Sequence, residues 1–343
     1  MSTRSRLLLG LLALALVVSL VPAADAQKRG GTLTIVRPTD PVSLDPNLET
    51  TAPGAWVYFN MLEGLLTLDD KMQVKPLLAT SYEVMSPTKV RFKLRPNVKF
   101  HDGTPFNAAA VKFTFDRALR GTPPARWASL AGSLDGAEVV DDLTVDVVTR
   151  EPYGPILRTL AMYCMGMVSP TAVQKQGADF SRAPVGTGPF KFVEWKTNTH
   201  VIIERNNDYW GDKAPLDRVI FKVVPEEGAR MIALQTGDAD MVLFPSPAQL
   251  PALRKDSKFM VHETTGIRVV FAGLHAGLPP LDDVRVRQAL LYAVDRKSIL
   301  DNIMEGSAGP AEPSMMLSRM ALRSTAWRSA CRTRTSSSGG MPA

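Results

Sequence analysis

Chemistry in this chain would have to come from a small set of residues. His101 and Asp102 stand side by side in "KFHDGTPF", and a histidine beside a carboxylate is a pairing used for proton transfer and for activating a nucleophile. Gly186-Thr187-Gly188 invites a phosphate-loop reading, and His200, His262 and His275 complete the histidines. Adjacent carboxylates occur at Asp69-Asp70 and Glu226-Glu227, and the two cysteines are Cys164 and Cys331. Each candidate fails a chemical test. No serine, cysteine or third acid stands next to His101–Asp102 to complete a relay. The histidines are scattered without metal-ligand spacing. No glycine follows Gly188 three residues later and no Gly-Lys-Ser/Thr occurs, so both phosphate-loop patterns are broken. The carboxylate pairs fall in turns or at helix starts, where the helix dipole favours them. Neither a cofactor nor a metal is expected, and the chain is not expected to be an enzyme. An exported hydrolase using His101–Asp102 or a hidden serine is the competing class, and a chaperone-like or scaffold role is the third.

The elements around these residues give each of them a local job. Val90, Phe92 and Leu94 alternate with Arg91, Lys93 and Arg95, the period of a half-buried strand. Asp102-Gly103 is a turn dipeptide, because glycine tolerates positive φ. Asn107 then caps a helix with Val111, Phe115, Ala118 and Leu119 on one face and Gly121 at its end. His101–Asp102 is therefore expected to be a turn between strand and helix.

Elsewhere, Leu33 and Ile35 alternate with threonines in a strand, and "GAWVYFNMLEGLLTLD" begins a helix that Gly64 ends. "AEVVDDLTVDVVT" reads as two strands around Asp141-Asp142, making Val74 to Phe180 a compact α/β subdomain. Strands follow in "VGTGPFKFVEWK", "HVIIER" and "VIFKVV". The last of these, a helix over Glu226 to Thr236 stopped by Gly237, and a strand at Met241 to Phe244 form a βαβ crossover. Part of the sheet must then be parallel. "FMVHETTGIRVVFAGLH" offers further strand pattern, and Asp282 or Asp283 caps a helix carrying Val286, Ala289, Leu290, Ala293 and Val294 at helical spacing.

Composition bounds the class. Arg4 and Arg6 precede an apolar run from Leu7 to Leu20, and Ala24-Asp25-Ala26 ends in small residues. That is an export leader cleaved after Ala26. The residue after the cut is not cysteine, so no lipid anchor is expected and the mature protein should be periplasmic. With 45% hydrophobic and 22% charged residues the chain is globular. The net charge of +6 is mixed along the body, with no basic stripe interleaved with aromatics, which excludes nucleic-acid binding. Two cysteines make no disulfide framework, and Cys164 in "LAMYCMGMV" reads as a small buried hydrophobe.

Order along the chain is more specific than any single motif. "GGTLTIV", "DPVSLDP", "FNMLEGLLTLD", "VRFKLRPNVKFHDGTPFNAAAVKFTFDRAL", "APVGTGPFKFVEW", "IERNNDYWG", "ALQTGDADMV" and "LDDVRVRQALLYAVDRKSIL" follow one another here. In that order they resemble the family 5 extracellular solute-binding proteins of ABC transporters, over about Gly30 to Pro310. The resemblance implies an α/β, two-lobed periplasmic-binding-protein fold with mixed sheets and an extra α/β subdomain. Residues 27–75 and 180–261 would form the first lobe, 76–179 the inserted subdomain, and 262–312 the start of a second lobe. It also implies a monomer that captures a small peptide or peptide-like solute between lobes and delivers it to an inner-membrane ABC permease. By the same resemblance, Thr50, Thr51, Ala52 and Pro53 would face the solute, as would Thr264, Thr265 and Gly266, with Arg268 as an anion partner. Gly186 to Phe190 and Asn207 to Gly211 match family motifs that are architectural.

The pattern departs from the family at about Glu312. Residues 313–343 are rich in Arg and Ser and lack strand or helix period. A disorder-like tail is one reading and a frameshift the better one: Cys331 to Ser336 can be encoded so that a frame two bases later reads Pro-Asp-Pro-Asp-Lys, like the family segment that usually follows. Such a chain would hold most of the first lobe and little of the second and is expected to fold poorly and to bind ligand weakly or not at all, so a non-functional truncated receptor stands as an alternative to a working one.

Overall fold

The computed structural model describes residues 29–121, 124–128, 131–262, 272–304 and 308–309. The chain divides into two compact units, residues 1–244 and 245–343. The leader expected over residues 1–26 and the tail from residue 313 lie outside the described residues.

The first unit is built on two larger sheets. Strand β1 is Thr32–Arg37, followed by the helix α1 at Ala52–Tyr58 and a small hairpin of β2, Leu66–Leu68, and β3, Val74–Pro76. Then come β4 (Ala79–Ser86), β5 (Lys89–Leu94), α2 (Ala108–Arg120), β6 (Leu134–Asp141) and β7 (Thr144–Thr149). Helices α3 (Ile156–Leu160) and α4 (Pro170–Gln176) lead to β8 (Phe190–Lys196), β9 (His200–Arg205) and β10 (Arg218–Val223). Helix α5 (Glu227–Thr236) and β11 (Met241–Val242) complete it.

One sheet has the order β11-β1-β10-β9-β8, with β1 parallel to both neighbours and the rest antiparallel. The β10–α5–β11 crossover read from the sequence is present, with β1 lying between its two strands. Gly237, at φ +82°, ends α5 in the left-handed region that glycine enters without strain. The other sheet is antiparallel, β4-β5-β7-β6. Val90, Phe92 and Leu94 are buried on its inner face against Val111, Phe115 and Ala118 of α2, as their spacing requires. On the outer face Arg91 donates to both Asp146 carboxylate oxygens, at 2.7 and 2.9 Å. Two hydrophobic clusters result, one around each sheet.

Several boundaries differ from expectation: the strand read over Met241 to Phe244 stops at Val242, and the one read in "VGTGPFKFVEWK" begins at Phe190. The helix begun at "GAWVYF" stops at Tyr58, six residues before Gly64. Gly64 serves close packing instead: a Cβ there would lie 3.0 Å from the Leu66 carbonyl oxygen. The second unit holds α6, Leu250–Lys255, and α7, Val284–Ala293, and Asp283 caps α7 by accepting from the Arg285 N–H. That helix ends at Val294, which is extended, so it does not run on through "DRKSIL" as one element. The strand pattern of "FMVHETTGIRVVFAGLH" falls mostly on residues 263–271, outside the described residues. Among the described residues no helix is long and apolar enough to cross a membrane.

Between the two clusters lies a buried carboxylate. Glu63 is 5% exposed. It accepts from the Tyr209 hydroxyl at 2.6 Å, the Trp210 indole N–H at 2.9 Å and the Thr187 hydroxyl at 2.7 Å. Arg95 lies 4.3 Å above the Trp210 ring and adds positive charge nearby. Burial raises the Glu63 pKa while the three donors pull it back. The raised value means that the carboxylate's contribution weakens as pH rises from the ordinary glutamate range through the folded-state pKa. Glu63→Gln can still serve all three partners, so it should stay near wild type at neutral pH and lose that pH slope. Glu63→Leu strands three polar groups and should cost about 3 kcal/mol. Urea unfolding of both variants at several pH values measures this.

Candidate functional site

Three polar centres in the first unit hold the residues that the sequence singles out. The first carries the loop Thr50 to Pro53 at the N-terminus of α1. Thr51 and Ala52 are exposed, while Thr50 and Pro53 are half-buried. Pro53 near the helix start presets its φ and needs no N–H partner there. Beneath the loop sits Glu49, 2% exposed, whose carboxylate accepts from the Thr51 N–H at 2.6 Å and the Val42 N–H at 3.3 Å. The Tyr163 hydroxyl donates to the Thr50 carbonyl at 2.7 Å, and the Tyr58 hydroxyl to that of Glu49 at 3.2 Å. Gly54 is required by proximity, since a Cβ would lie 2.4 Å from the Glu49 side chain. Next to this, Asp45 is 1% exposed and forms a two-pronged ion pair with Arg117 of α2, which also lies 5.3 Å from the Phe180 ring. An exposed loop, its Thr51 N–H and Thr50 carbonyl already paired, is thus held by buried side chains.

The second centre is the His101–Asp102 turn. A serine does arrive from elsewhere in the fold: Ser169 donates to Asp102 at 2.5 Å. The arrangement is nevertheless not a relay. His101 Nε2 donates to the Gly188 carbonyl at 3.0 Å and Nδ1 accepts from the Gly186 N–H at 3.3 Å. Both ring nitrogens are therefore committed to backbone, and neither faces Ser169. Burial lowers the His101 pKa to about 4, so the ring is neutral at physiological pH, as that hydrogen-bond pattern needs. Asp102 accepts from the Thr104 N–H and hydroxyl, at 3.0 and 2.6 Å, which closes the turn, and Ser169 caps α4 by accepting from Ala172 N–H. Gly103, at φ +84°, completes the turn as the dipeptide required.

The third centre is Gly186-Thr187-Gly188. It holds no phosphate-type cradle, because a Cβ on Gly186 would lie 2.2 Å from the Met61 carbonyl and one on Gly188 2.7 Å from that of Asn60. The glycines let this segment press against the residues before Glu63, while Thr187, fully buried, donates to that carboxylate. Cys164 is buried, and its thiol is pushed up to about 11, leaving it unreactive near neutrality. Among the described residues no cluster of histidine, cysteine or carboxylates could hold a metal.

Thr264, Thr265, Gly266 and Arg268 lie outside the described residues. An open cavity of about 490 Å³ lies elsewhere in the first unit, lined by Arg29, Arg205, Lys213 and Asp217 among others. Sequence reasoning missed Glu49 and Glu63 as organisers. Only their position before a proline-bearing helix start and before Gly64 could have pointed to them.

A family model described as bacterial extracellular solute-binding proteins, family 5 Middle, matches residues 73–322. Glutathione-binding protein GsiB of Pectobacterium atrosepticum is 34% identical over 273 residues, 79% of this chain and 53% of that protein. The periplasmic binding protein DppA of Helicobacter pylori, solved with the peptide STSA, aligns with a TM-score of 0.75 at 27% identity, over 82% of this chain and 60% of that one. The binding protein AgaA of A. tumefacien, solved with agropinic acid, aligns with a TM-score of 0.73 at 28% identity, over 80% of this chain and 56% of that one. The chain spans about half the length of the curated relatives it matches.

The His101 geometry gives a pH prediction. An unfolded histidine titrates near 6.5 and the folded one near 4. Between those values the unfolded chain binds the extra proton, so wild-type stability should be full above pH 6.5 and fall as pH drops towards 4. His101→Gln should flatten that interval. Denaturant midpoints between pH 4 and 7.5 supply the comparison, and parallel curves for the two proteins would contradict it.

Proposed function

The chain belongs to the bacterial extracellular solute-binding proteins of family 5, and from that membership we propose that it serves as the solute-capturing receptor of an ABC importer. The family match across the body of the chain carries the reading. Members of this family are binding proteins and not enzymes, and the hydrolase reading of His101 and Asp102 is set aside with it. The solute is a small peptide or peptide-like molecule. Relatives described as binding glutathione, a peptide and agropinic acid support that breadth.

In this reading residues 1–26 direct export to the periplasm, and the receptor hands its cargo, as a monomer, to an inner-membrane permease. Residues 27–75 with 180–261 act as the first lobe, 76–179 as the inserted subdomain and 262–312 as the beginning of the second lobe. Thr50, Thr51, Ala52 and Pro53 contact the solute from one side. Support comes from the exposure of Thr51 and Ala52 and from the buried Glu49 that fixes the loop. Thr264, Thr265, Gly266 and Arg268 contact it from the second.

Calorimetric titration of the full chain with glutathione, a dipeptide and a tetrapeptide tests the proposal. At least one should bind saturably. Thr51→Trp places bulk on an exposed position, so it should weaken binding tenfold or more with the melting temperature unchanged. Wild-type-like affinity in that variant would remove the loop from the site, and no binding of any probe would leave the truncated, non-functional receptor as the reading.

A further inference from the structure

Arg37 ends β1 and is fully buried, yet its Nη1 and Nη2 atoms have no hydrogen-bond partner. Only Nε is satisfied, donating to the Thr39 carbonyl at 2.7 Å. Aromatic rings take the place of polar partners: the guanidinium lies 5.9 Å from the Trp56 ring centre and 6.0 Å from that of Phe221. Asp40 is the nearby carboxylate, but it makes no ion pair with Arg37. Its Oδ2 accepts from the Trp195 indole and the Asn198 N–H, at 3.0 and 2.9 Å, and its Oδ1 is itself without a partner. A buried cation with two idle donors is among the least favourable arrangements a fold can hold. Burial lowers the Arg37 pKa only to about 10, so it cannot escape by giving up its proton at neutral pH.

The position suggests what would satisfy it. Arg37 pairs with Val223 at the C-terminal end of β10, and its neighbour Val36 pairs with Val242 of β11. The carboxyl ends of parallel strands are where open α/β sheets bind ligands. Trp56 belongs to α1, one helical turn beyond the exposed Thr51 and Ala52. Phe244 stacks on Trp56 with ring centres 5.0 Å apart. It is 59% exposed and holds φ at +54°, the left-handed region that a bulky residue rarely occupies.

We propose that Arg37 is an anion-recognition residue, its Nη1 and Nη2 receiving a carboxylate of the captured solute between the Trp56 and Phe221 rings. The assignment rests on the receptor reading above and gives it a solute class, molecules carrying at least one free carboxylate. The planar guanidinium fork matches a carboxylate through two parallel hydrogen bonds, and the aromatic walls exclude the water that would otherwise weaken them. Entry requires the Trp56–Phe244 stack to swing aside. Phe244, exposed and in a strained conformation, is the member free to move.

Two probes on the full chain test this. Sodium succinate is titrated against sodium chloride at equal ionic strength, following the Arg37 side-chain nitrogen signal by NMR, assigned with Arg37→Lys, and tryptophan emission. A saturable change with succinate and none with chloride is expected. No difference between the salts, in the Arg37 signal and in the tryptophan emission alike, would overturn the proposal. The second probe is glutathione against its dimethyl ester. Wild type should favour the free acid at least tenfold and Arg37→Met should lose that preference; an equal preference in both proteins would also overturn it. Saturable succinate binding without glutathione binding would instead retain Arg37 and discard the peptide-like solute.

Discussion

The Glu63 carboxylate is the constraint around which the first unit is arranged. Two oxygens held out of water need several donors, and no residue close in sequence supplies them. They come from Thr187, Tyr209 and Trp210, more than a hundred residues further along the chain. Satisfying Glu63 therefore fixes where the Gly186–Gly188 loop and the Tyr209–Trp210 turn must lie. The glycines are the steric complement of that demand, because a side chain at either position would hold the loop away from the Met61 and Asn60 carbonyls. His101 then fastens to the same loop through three hydrogen bonds, counting its own N–H to the Gly186 carbonyl at 2.8 Å. Polar burial here specifies position more than it adds stability.

The same device recurs at the edge proposed to meet solute. Glu49 and Asp45 are buried carboxylates whose partners are backbone N–H groups and Arg117. They hold a short exposed loop in place without using its side chains.

Regular elements were legible in the sequence wherever one periodicity dominated. Val90, Phe92 and Leu94 alternate because a single face is buried, and Asn107 with Gly121 brackets a helix by local chemistry alone. The βαβ crossover was legible from order, although the insertion of β1 between its strands was not. Gly64 misled, because glycine at a helix end and glycine at a close backbone approach look alike until the opposing carbonyl is in place. The organising carboxylates were invisible for a different reason. Glu63 and Glu49 look like ordinary surface glutamates, and only partners brought by tertiary structure identify them. Arg37 was hidden in the same way, since nothing in "TIVRPTD" distinguishes a buried arginine from a strand-end cation.

The pairing of β1 has a consequence for how this chain comes into being. Residues 32–37 leave the ribosome early, but both strands that flank them, at 218–223 and 241–242, are made some two hundred residues later. Thr34 waits equally long for the Asp240 carboxylate that its N–H meets at 2.7 Å. The antiparallel sheet of residues 79–149 can close on its own neighbours well before that. On sequence separation alone, the middle of the unit can close while its first strand still has both edges unpaired. During that interval β1 is accessible to whatever holds nascent chains apart, and the sheet around it is the last part of the unit to commit.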